Sequence, residues 1–388
     1  MKPYRVESLG QVFTTDEVVD KMLSLRTNSG SILEPSCGQG AFWDKLSAKE
    51  DSYAIEIDPT VCPAGAITGD FFEHKFERKF DTIIGNPPYV KFKNILPTTL
   101  EFLDIDSYDK RTNLYVFFVD KCIDMLGDNG EIIFVTPRGF INATSCAHLN
   151  EKIYKHGTIT HFYDYGDEML FKGFSPNCAI WRFQKNCFTH KTETNDGAKN
   201  MNLHHGQLIF SDETFKHKLG DFFYVKVGAV SGLDSIFCDP SGDSDFVGSF
   251  TRKTSKLKRY HYEKPKQNLL SQKDKLLNRK IKTFTEENWW HWGRDYHKSE
   301  SERIYVNCKT RQEEPFFTNS CKKYDGSVLA IFPRNKDVDL LNTTRALNSI
   351  DWNEFGFMVG NRYMFSQKSL ENLPITESFI NNIRITNE

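Results

Sequence analysis

Short apolar runs and helix-spaced apolar positions alternate along the first half of the chain. Ser31-Ile32-Leu33 ends in Glu34-Pro35-Ser36-Cys37-Gly38-Gln39-Gly40, and a helix-compatible stretch follows at 41–46. Tyr53-Ala54-Ile55 leads to Glu56-Ile57-Asp58-Pro59, a second strand with acids at its end. Phe80-Asp81-Thr82-Ile83-Ile84-Gly85 is a third strand that runs directly into Asn86-Pro87-Pro88-Tyr89. Leu114, Phe117, Phe118, Cys122, Met125 and Leu126 recur at helical spacing; Gly127-Asp128-Asn129-Gly130 then turns into a fourth strand, Ile132-Ile133-Phe134-Val135. Residues 179–183 read as a late strand of the same sheet. This alternation predicts an α/β fold with a doubly wound, mostly parallel sheet, whose ligands bind beyond the carboxyl ends of the strands. The glycine loop, the acids and the Asn-Pro-Pro-Tyr turn all follow such strand ends.

The second half changes character. Residues 186–200 are polar without a hydrophobic period and predict a surface loop or linker; 239–245 (DPSGDSD) is a second linker candidate. Beyond Gly220 the βα alternation stops, which predicts a separate, irregular α+β domain. At about 100–200 residues per domain, 388 residues predict two domains, placed at 1–218 and 219–388.

Composition removes several classes of protein. With 39% hydrophobic and 26% charged residues, the chain is neither disordered nor fibrous. No apolar run approaches the roughly 18 residues of a membrane span, and the first residues lack a signal-peptide core, so no membrane partner and a cytoplasmic location are expected. Nine cysteines without a CxxC pair predict free thiols, and the histidines, His204-His205 included, show no ligand spacing, so no metal is expected. The net charge of −2 hides segregation: residues 252–282 hold twelve Lys/Arg against Glu263 and Asp274. That segment reads as a polyanion-facing surface or, with equal weight, as a solvated basic loop.

Glu34-x-x-x-Gly38-x-Gly40 has the form of a nucleotide-type ligand loop, in which glycines allow close backbone approach and the acid can hold a cationic group. It lacks the third glycine of a dinucleotide loop. Glu56, about one βα unit later, suits a ribose diol, and Gly69-Asp70-Phe71 adds an amino-group acceptor and an aromatic face. In Asn86-Pro87-Pro88-Tyr89 the two prolines enforce a stiff, extended turn without amide donors at 87 and 88. The Asn86 carboxamide oxygen and the Pro87 carbonyl can therefore both accept from one planar amino group, while Tyr89 stacks on the attached ring. The bland alternative is a β-turn.

Taken in order, Gly10-Gln11-Val12-Phe13-Thr14, the Glu34–Gly40 loop, Glu56-Ile57-Asp58-Pro59, Gly69-Asp70-Phe71 and Asn86-Pro87-Pro88-Tyr89 resemble the γ class of DNA adenine-N6 methyltransferases, the TaqI-like group. The resemblance covers roughly the first 185 residues. It implies a Rossmann-like S-adenosylmethionine-dependent methyltransferase sheet, with a C-terminal target-recognition domain. It also implies Thr14 and Glu34 near the methionine moiety and Glu56 at the ribose hydroxyls, with Pro35, Gly38, Gly40 and Ile57 among the cofactor-binding residues. Asp70 would take the adenine amino group, with Phe71 and Phe118 on the adenine. Met169-Leu170-Phe171-Lys172-Gly173 resembles the motif whose aromatic residue sandwiches a flipped base opposite Tyr89; Phe171 takes that role, Phe174 is the rival, and either is also a candidate core residue.

The implied reaction is in-line transfer of the sulfonium methyl to adenine N6, assisted by positioning and polarisation. Double-stranded DNA is the implied partner, with Arg252, Lys253, Lys256, Lys258 and Arg259 heading the phosphate contacts. The Trp289-Trp290-His291-Trp292 cluster would serve for stacking or belong to the core. The motifs begin near Gly10, so a restriction endonuclease is expected on a separate chain, and a monomer is expected. The competing functions are methylation of rRNA or protein glutamine, and a non-catalytic DNA-binding subunit.

Overall fold

The computed structural model describes residues 12, 14–46, 51–108, 110–166, 170–171, 177–265, 267–358 and 362–384. The chain divides into two units, Met1–Asp212 and Glu213–Glu388, slightly ahead of the expected 218/219 boundary.

In the first unit ten strands form one sheet: β1 (Ile32–Glu34), β2 (Ser52–Glu56), β3 (Ile67–Thr68), β4 (Phe80–Gly85), β5 (Leu126–Pro137), β6 (Gly157–Asp164), β7 (Cys178–Lys185), β8 (Lys191–Thr194), β9 (Gly197–His204) and β10 (Gln207–Phe210). Their spatial order is 3-2-1-4-5-7-6-8-9-10. Strands β1 to β5 pair in parallel, and β7 is inserted antiparallel between β5 and β6. The order reverses between β1 and β4, which is where a doubly wound sheet opens a crevice at its carboxyl edge. The α/β sheet expected from the alternation forms, with the Rossmann-like arrangement the resemblance implies, but it is mixed rather than mostly parallel: the β3-to-β5 half is parallel, whereas β7 and the β8–β9–β10 edge pair antiparallel.

Three helices cover the sheet: α1 (Asp16–Ser24), α2 (Leu114–Met125) and α3 (Ala147–His156). Successive strand residues divide between its faces. Leu33, Ile83 and Ile132 pack with Val116, Phe117 and Val119 of α2 and with Leu149 and Ile153 of α3. Ile32, Ile84 and Ile133 pack on the other side with Val18, Val19 and Met22 of α1. Burial on both faces explains why the central strands read as continuous apolar runs.

The polar stretch 186–200 is not a loop: it supplies β8 and the start of β9. Thr192 is fully buried, yet its hydroxyl donates to Ile159 O, so a polar residue fills a core position and erases the hydrophobic period. Gly197, at φ +95°, makes the tight turn between the two strands.

The second unit contains a four-stranded antiparallel sheet, ordered Phe223–Val227, Val328–Pro333, Ile304–Asn307, Phe316–Thr318. Short helices accompany it, which gives the irregular α+β unit expected. The stretch 239–245 is no linker but lies within this unit. The Asp239 carboxylate accepts from the Ser241 amide and hydroxyl, and the turn leads into Ser244–Phe246, paired with Lys258–Tyr260. Trp289 and Trp292 are core residues, packed with Phe246 and Tyr260. Among the described residues no helix is long and apolar enough to cross a membrane.

At the amino end of the sheet core, Glu131 of β5 is fully buried. It accepts from Arg182 Nε at 2.7 Å, from the Thr27 and Asn28 amides at 3.1 and 3.0 Å, and from the Thr82 hydroxyl at 3.0 Å. Burial pushes this carboxyl up, but the Asn28 amide and the Arg182 guanidinium outweigh it and hold the pKa below the usual glutamate value. Arg182→Met leaves a buried carboxylate without its cation, and a loss of about 3–5 kcal/mol is expected in urea unfolding at pH 7. Because the folded pKa is depressed, the wild-type contribution is complete above the ordinary glutamate range and disappears as pH falls through the folded value. The gap between the two proteins should therefore narrow in acid; a constant gap would show that the ion pair is not its source.

Candidate active site

The carboxyl ends of β1, β2 and β4 meet in one place. After Glu34 the backbone turns through Gly38 and Gly40, at φ +55° and +92°, where a side chain would be strained. A Cβ added at Gly38 would meet nothing within 4 Å, so the glycine leaves open space on the cavity side. Glu56, at the end of β2, holds this loop: Oε2 accepts from the Gly38 amide at 2.8 Å and Oε1 from the Asp58 amide at 2.9 Å. Burial raises the Glu56 pKa, and those two amides oppose the rise.

Glu34 is 3% exposed, and its Oε2 is buried without a hydrogen-bond partner. Burial pushes its carboxyl well above the usual range, the Trp43 amide works against this, and the charges of Glu56 and Asp44 add to it. Beside it, β4 ends in Gly85, where an added Cβ would lie 3.6 Å from Glu34 Cγ. The next residue, Asn86, donates from Nδ2 to Thr14 Oγ1 at 3.1 Å, which fixes the carboxamide orientation. Its Oδ1 is thereby left as a buried acceptor without a donor.

Tyr89 donates its hydroxyl to Val135 O at 2.9 Å, and burial raises its pKa well above the usual value. Its ring stands edge-to-face with Phe171, centroids 6.4 Å apart at 66°. Phe171 is 1% exposed and packs with Ile84 and Ile133, so no parallel-faced slot lies between the two rings. The rival Phe174 lies outside the described residues, as do Met169, Lys172 and Gly173, and Gly10, Gln11 and Phe13 of the first motif.

Across the cavity, Asp70 accepts from the Phe72 amide at 2.8 Å and, by a very short bond, from the Thr99 hydroxyl. Phe71 and Phe118 stack on each other at 5.0 Å and 17°. The Lys121 ammonium, whose pKa burial lowers, donates to the carbonyls of Phe71, Phe72 and His74. The cavity measures about 340 Å³, within the range of small-molecule sites. Thr14, Glu34, Pro35, Gly38, Glu56, Ile57, Asp70, Phe71, Asn86, Pro88 and Phe118 all line it; Gly40, Pro87, Tyr89 and Phe171 stand outside its wall. Leu96 and Thr99 line it too, from a stretch with no periodicity to announce them. Among the described residues no His/Cys/Asp/Glu group could hold a metal ion.

The basic segment of the second unit is less free than its composition suggests. Arg252 pairs with Glu314 at 3.3 Å, Lys258 with Asp325 at 2.9 Å and Arg259 with Asp245 at 2.8 Å, whereas Lys253 and Lys256 have no ion-pair partner among the described residues. Arg279 is buried and donates to the carbonyls of Ser231, Leu276, Trp289 and His291, with burial lowering its pKa to about 10. It is an internal cross-link, not a phosphate contact. Lys266 lies outside the described residues.

Residues 44–171 match the family described as Eco57I restriction-modification methylase. That matched stretch, a third of the chain, resembles an Eco57I-type methylase domain. Its relatives include the type II methyltransferase M.HincII of Haemophilus influenzae, 28% identical over 236 residues, covering 56% of this chain and 44% of the relative. M.TthHB8I of Thermus thermophilus is 28% identical over 200 residues, covering 46% and 45%. The chain thus spans less than half the length of these curated relatives. Among solved structures, a DrdV–DNA complex is similar over 84% of this chain and 49% of that one, with 12% identity and a TM-score of 0.49.

The acids around the cavity make ligand-free stability pH-dependent. The raised folded pKa of Glu34 means that its ionisation opposes folding, so its contribution to stability is most favourable below the ordinary glutamate pKa and declines as pH rises toward the folded value. Glu34→Gln should therefore unfold at a higher temperature than the wild type at pH 8 without ligand, and at nearly the same temperature at pH 4.5. Thermal unfolding across pH checks this; a variant less stable than wild type at pH 8 would refute the burial-dominated account.

Proposed function

We propose that this protein transfers the methyl group of S-adenosylmethionine to N6 of an adenine flipped out of double-stranded DNA, as the modification enzyme of a restriction-modification system. The single observation that carries the proposal is the pair of buried, unpartnered oxygens at adjoining strand ends, Glu34 Oε2 and Asn86 Oδ1. A buried acceptor without a donor costs roughly 1–3 kcal/mol, and both of these border the same cavity. Each needs a donor that the protein does not supply.

The donor set fits S-adenosylmethionine. Glu34 receives the ammonium of the amino-acid moiety, and the second lone pairs of Glu56 receive the ribose hydroxyls. Asp70 receives the purine amino group, beside the aromatic wall of Phe71 and Phe118. When bound, the cofactor supplies an electrophilic sulfonium methyl. Asn86 Oδ1 accepts one hydrogen of the target amino group and the Pro87 carbonyl the other, which localises the nitrogen lone pair for attack. Tyr89 stacks on the extruded base. Such a contact contributes roughly 1–3 kcal/mol toward the few kcal/mol that flipping costs. The two unpaired cations, Lys253 and Lys256, lead the phosphate contacts, with Arg252, Lys258 and Arg259 recruited from their surface ion pairs.

Asn86→Ala should bind S-adenosylhomocysteine like the wild type in calorimetry while its methyl transfer falls by about 100-fold or more. A tritiated-methyl assay on duplex DNA, RNA and protein, followed by nucleoside analysis, identifies the acceptor. Label in N6-methyladenine from DNA is the expected result. Label in cytosine, or only in RNA or protein, replaces this substrate assignment, and wild-type turnover in the variant removes the role given to Asn86.

A further inference from the structure

Helix α2 borders the cavity through Phe118 and holds a lysine behind that wall. Phe118 lines the aromatic wall, and Lys121, three residues on and on the same side of the helix, extends behind it. The Lys121 Nζ donates to Phe71 O at 2.5 Å, Phe72 O at 3.0 Å and His74 O at 3.2 Å, which uses all three of its hydrogens. It also lies 4.5 Å from the centroid of the Phe71 ring and 5.7 Å from that of Phe72. One cation thus gathers three carbonyls, of residues 71, 72 and 74, from the turn that carries Asp70 and Phe71. No carboxylate lies within ion-pairing distance of Lys121 among the described residues, so the turn's own backbone is its counterpart.

The convergence has a directional consequence. Lys121 holds the turn from behind, beside the Phe71 ring, while Asp70 and Phe71 both line the cavity. The Asp70 side is held by its own bonds, to the Phe72 amide and the Thr99 hydroxyl. The carbonyl side has Lys121 and one backbone bond, from the His74 amide to Asp70 O at 3.0 Å. Three charge-assisted bonds to neutral carbonyls are strong ones, and their shared end is a helix packed on the sheet.

We infer that Lys121 is a positioning residue for the purine half of the cofactor site: it sets the 70–74 turn so that Asp70 and Phe71 present themselves to the adenine ring. This rests on the proposal that the cavity binds S-adenosylmethionine. Lys121 touches neither the cofactor's reacting atoms nor the target base, so its loss falls on cofactor affinity and leaves the chemical step intact.

The test uses the full chain with Lys121→Met, Lys121→Gln and Lys121→Arg. Binding of S-adenosylhomocysteine is measured by calorimetry, and methyl transfer to duplex DNA over a range of S-adenosylmethionine concentrations. Lys121→Met, which keeps the apolar stem, should weaken binding by about tenfold or more and raise the KM for the cofactor in step. Its kcat at saturating cofactor should stay within about twofold of wild type. Lys121→Arg, able to bridge two of the carbonyls, should recover most of the affinity. Lys121→Gln, a neutral donor, should fall between them and serves if the methionine variant does not fold. Unchanged affinity in both the Met and Gln variants overturns the inference, as does a fall in kcat without a rise in KM. A wild-type protein that binds neither cofactor nor product overturns the cofactor assignment itself, an outcome distinct from the other two because it does not involve the variants.

Discussion

Two side-chain oxygens, Glu34 Oε2 and Asn86 Oδ1, are buried at neighbouring strand ends without a hydrogen-bond partner, and the cavity of the first unit is built around that deficit. Interiors seldom leave such acceptors unpaired, because each forfeits water without replacement. Here the arrangement follows from the sheet order. β1 and β4 are adjacent and parallel, so the residues that follow them emerge side by side at the point where the order reverses. Gly85 ends β4 beside Glu34, and Thr14 takes up the carboxamide nitrogen of Asn86 so that its oxygen is left without a partner. The far end of the sheet is the opposite case: Glu131 is as buried as any residue in the protein, yet its oxygens are met by Arg182, Thr27, Asn28 and Thr82. Glu131 thus has every oxygen met, whereas Glu34 and Asn86 each leave one oxygen at the cavity for a ligand.

The electrostatics of the cavity point the same way. Glu34, Glu56 and Asp70 all line the cavity, and burial pushes the first two toward their neutral forms. A phosphate-bearing dinucleotide would bring further negative charge against carboxylates that already repel each other. A ligand with an ammonium group and a sulfonium centre relieves the same repulsion and meets the unpaired Glu34 oxygen. The glycine loop is consistent with this, since the Gly38 amide is already committed to Glu56 and is not free to cradle a phosphate.

The sequence disclosed these features unevenly, for physical reasons. The strand-end acids, the two glycines and Asn86-Pro87-Pro88-Tyr89 were legible because each residue type is constrained by its own covalent form: an open φ, a missing amide donor, a charge beside an apolar run. Strands β8 and β9 were not, because Thr192 satisfies its hydroxyl internally and so mimics a surface residue in composition. Thr99 and Lys121 were missed for a related reason. A threonine in an aperiodic stretch and a lysine on a helix are ordinarily solvated, and only the tertiary fold brings them to the turn at 70–74. In the basic segment, charge counting identified the cations but not their partners. Asp325 and Asp245 lie outside the 252–282 run in sequence, yet they neutralise Lys258 and Arg259 in the fold.

The two aromatic residues assigned to the extruded base differ in how firmly they are held. Tyr89 is restrained at its hydroxyl by Val135 O, follows two prolines, and has edge contacts with Tyr115 and Phe171. A ring held in this way serves as a fixed platform and loses little freedom when a base stacks on it. Phe171 offers no polar atom to tether, and only packing keeps it edge-on to Tyr89. If a base is sandwiched between them, as proposed above, Phe171 is the ring freer to turn, because Tyr89 would have to give up its bond to Val135 O. The cost of admitting the base would then fall on Phe171, and the turn that carries Asn86 would stay in place.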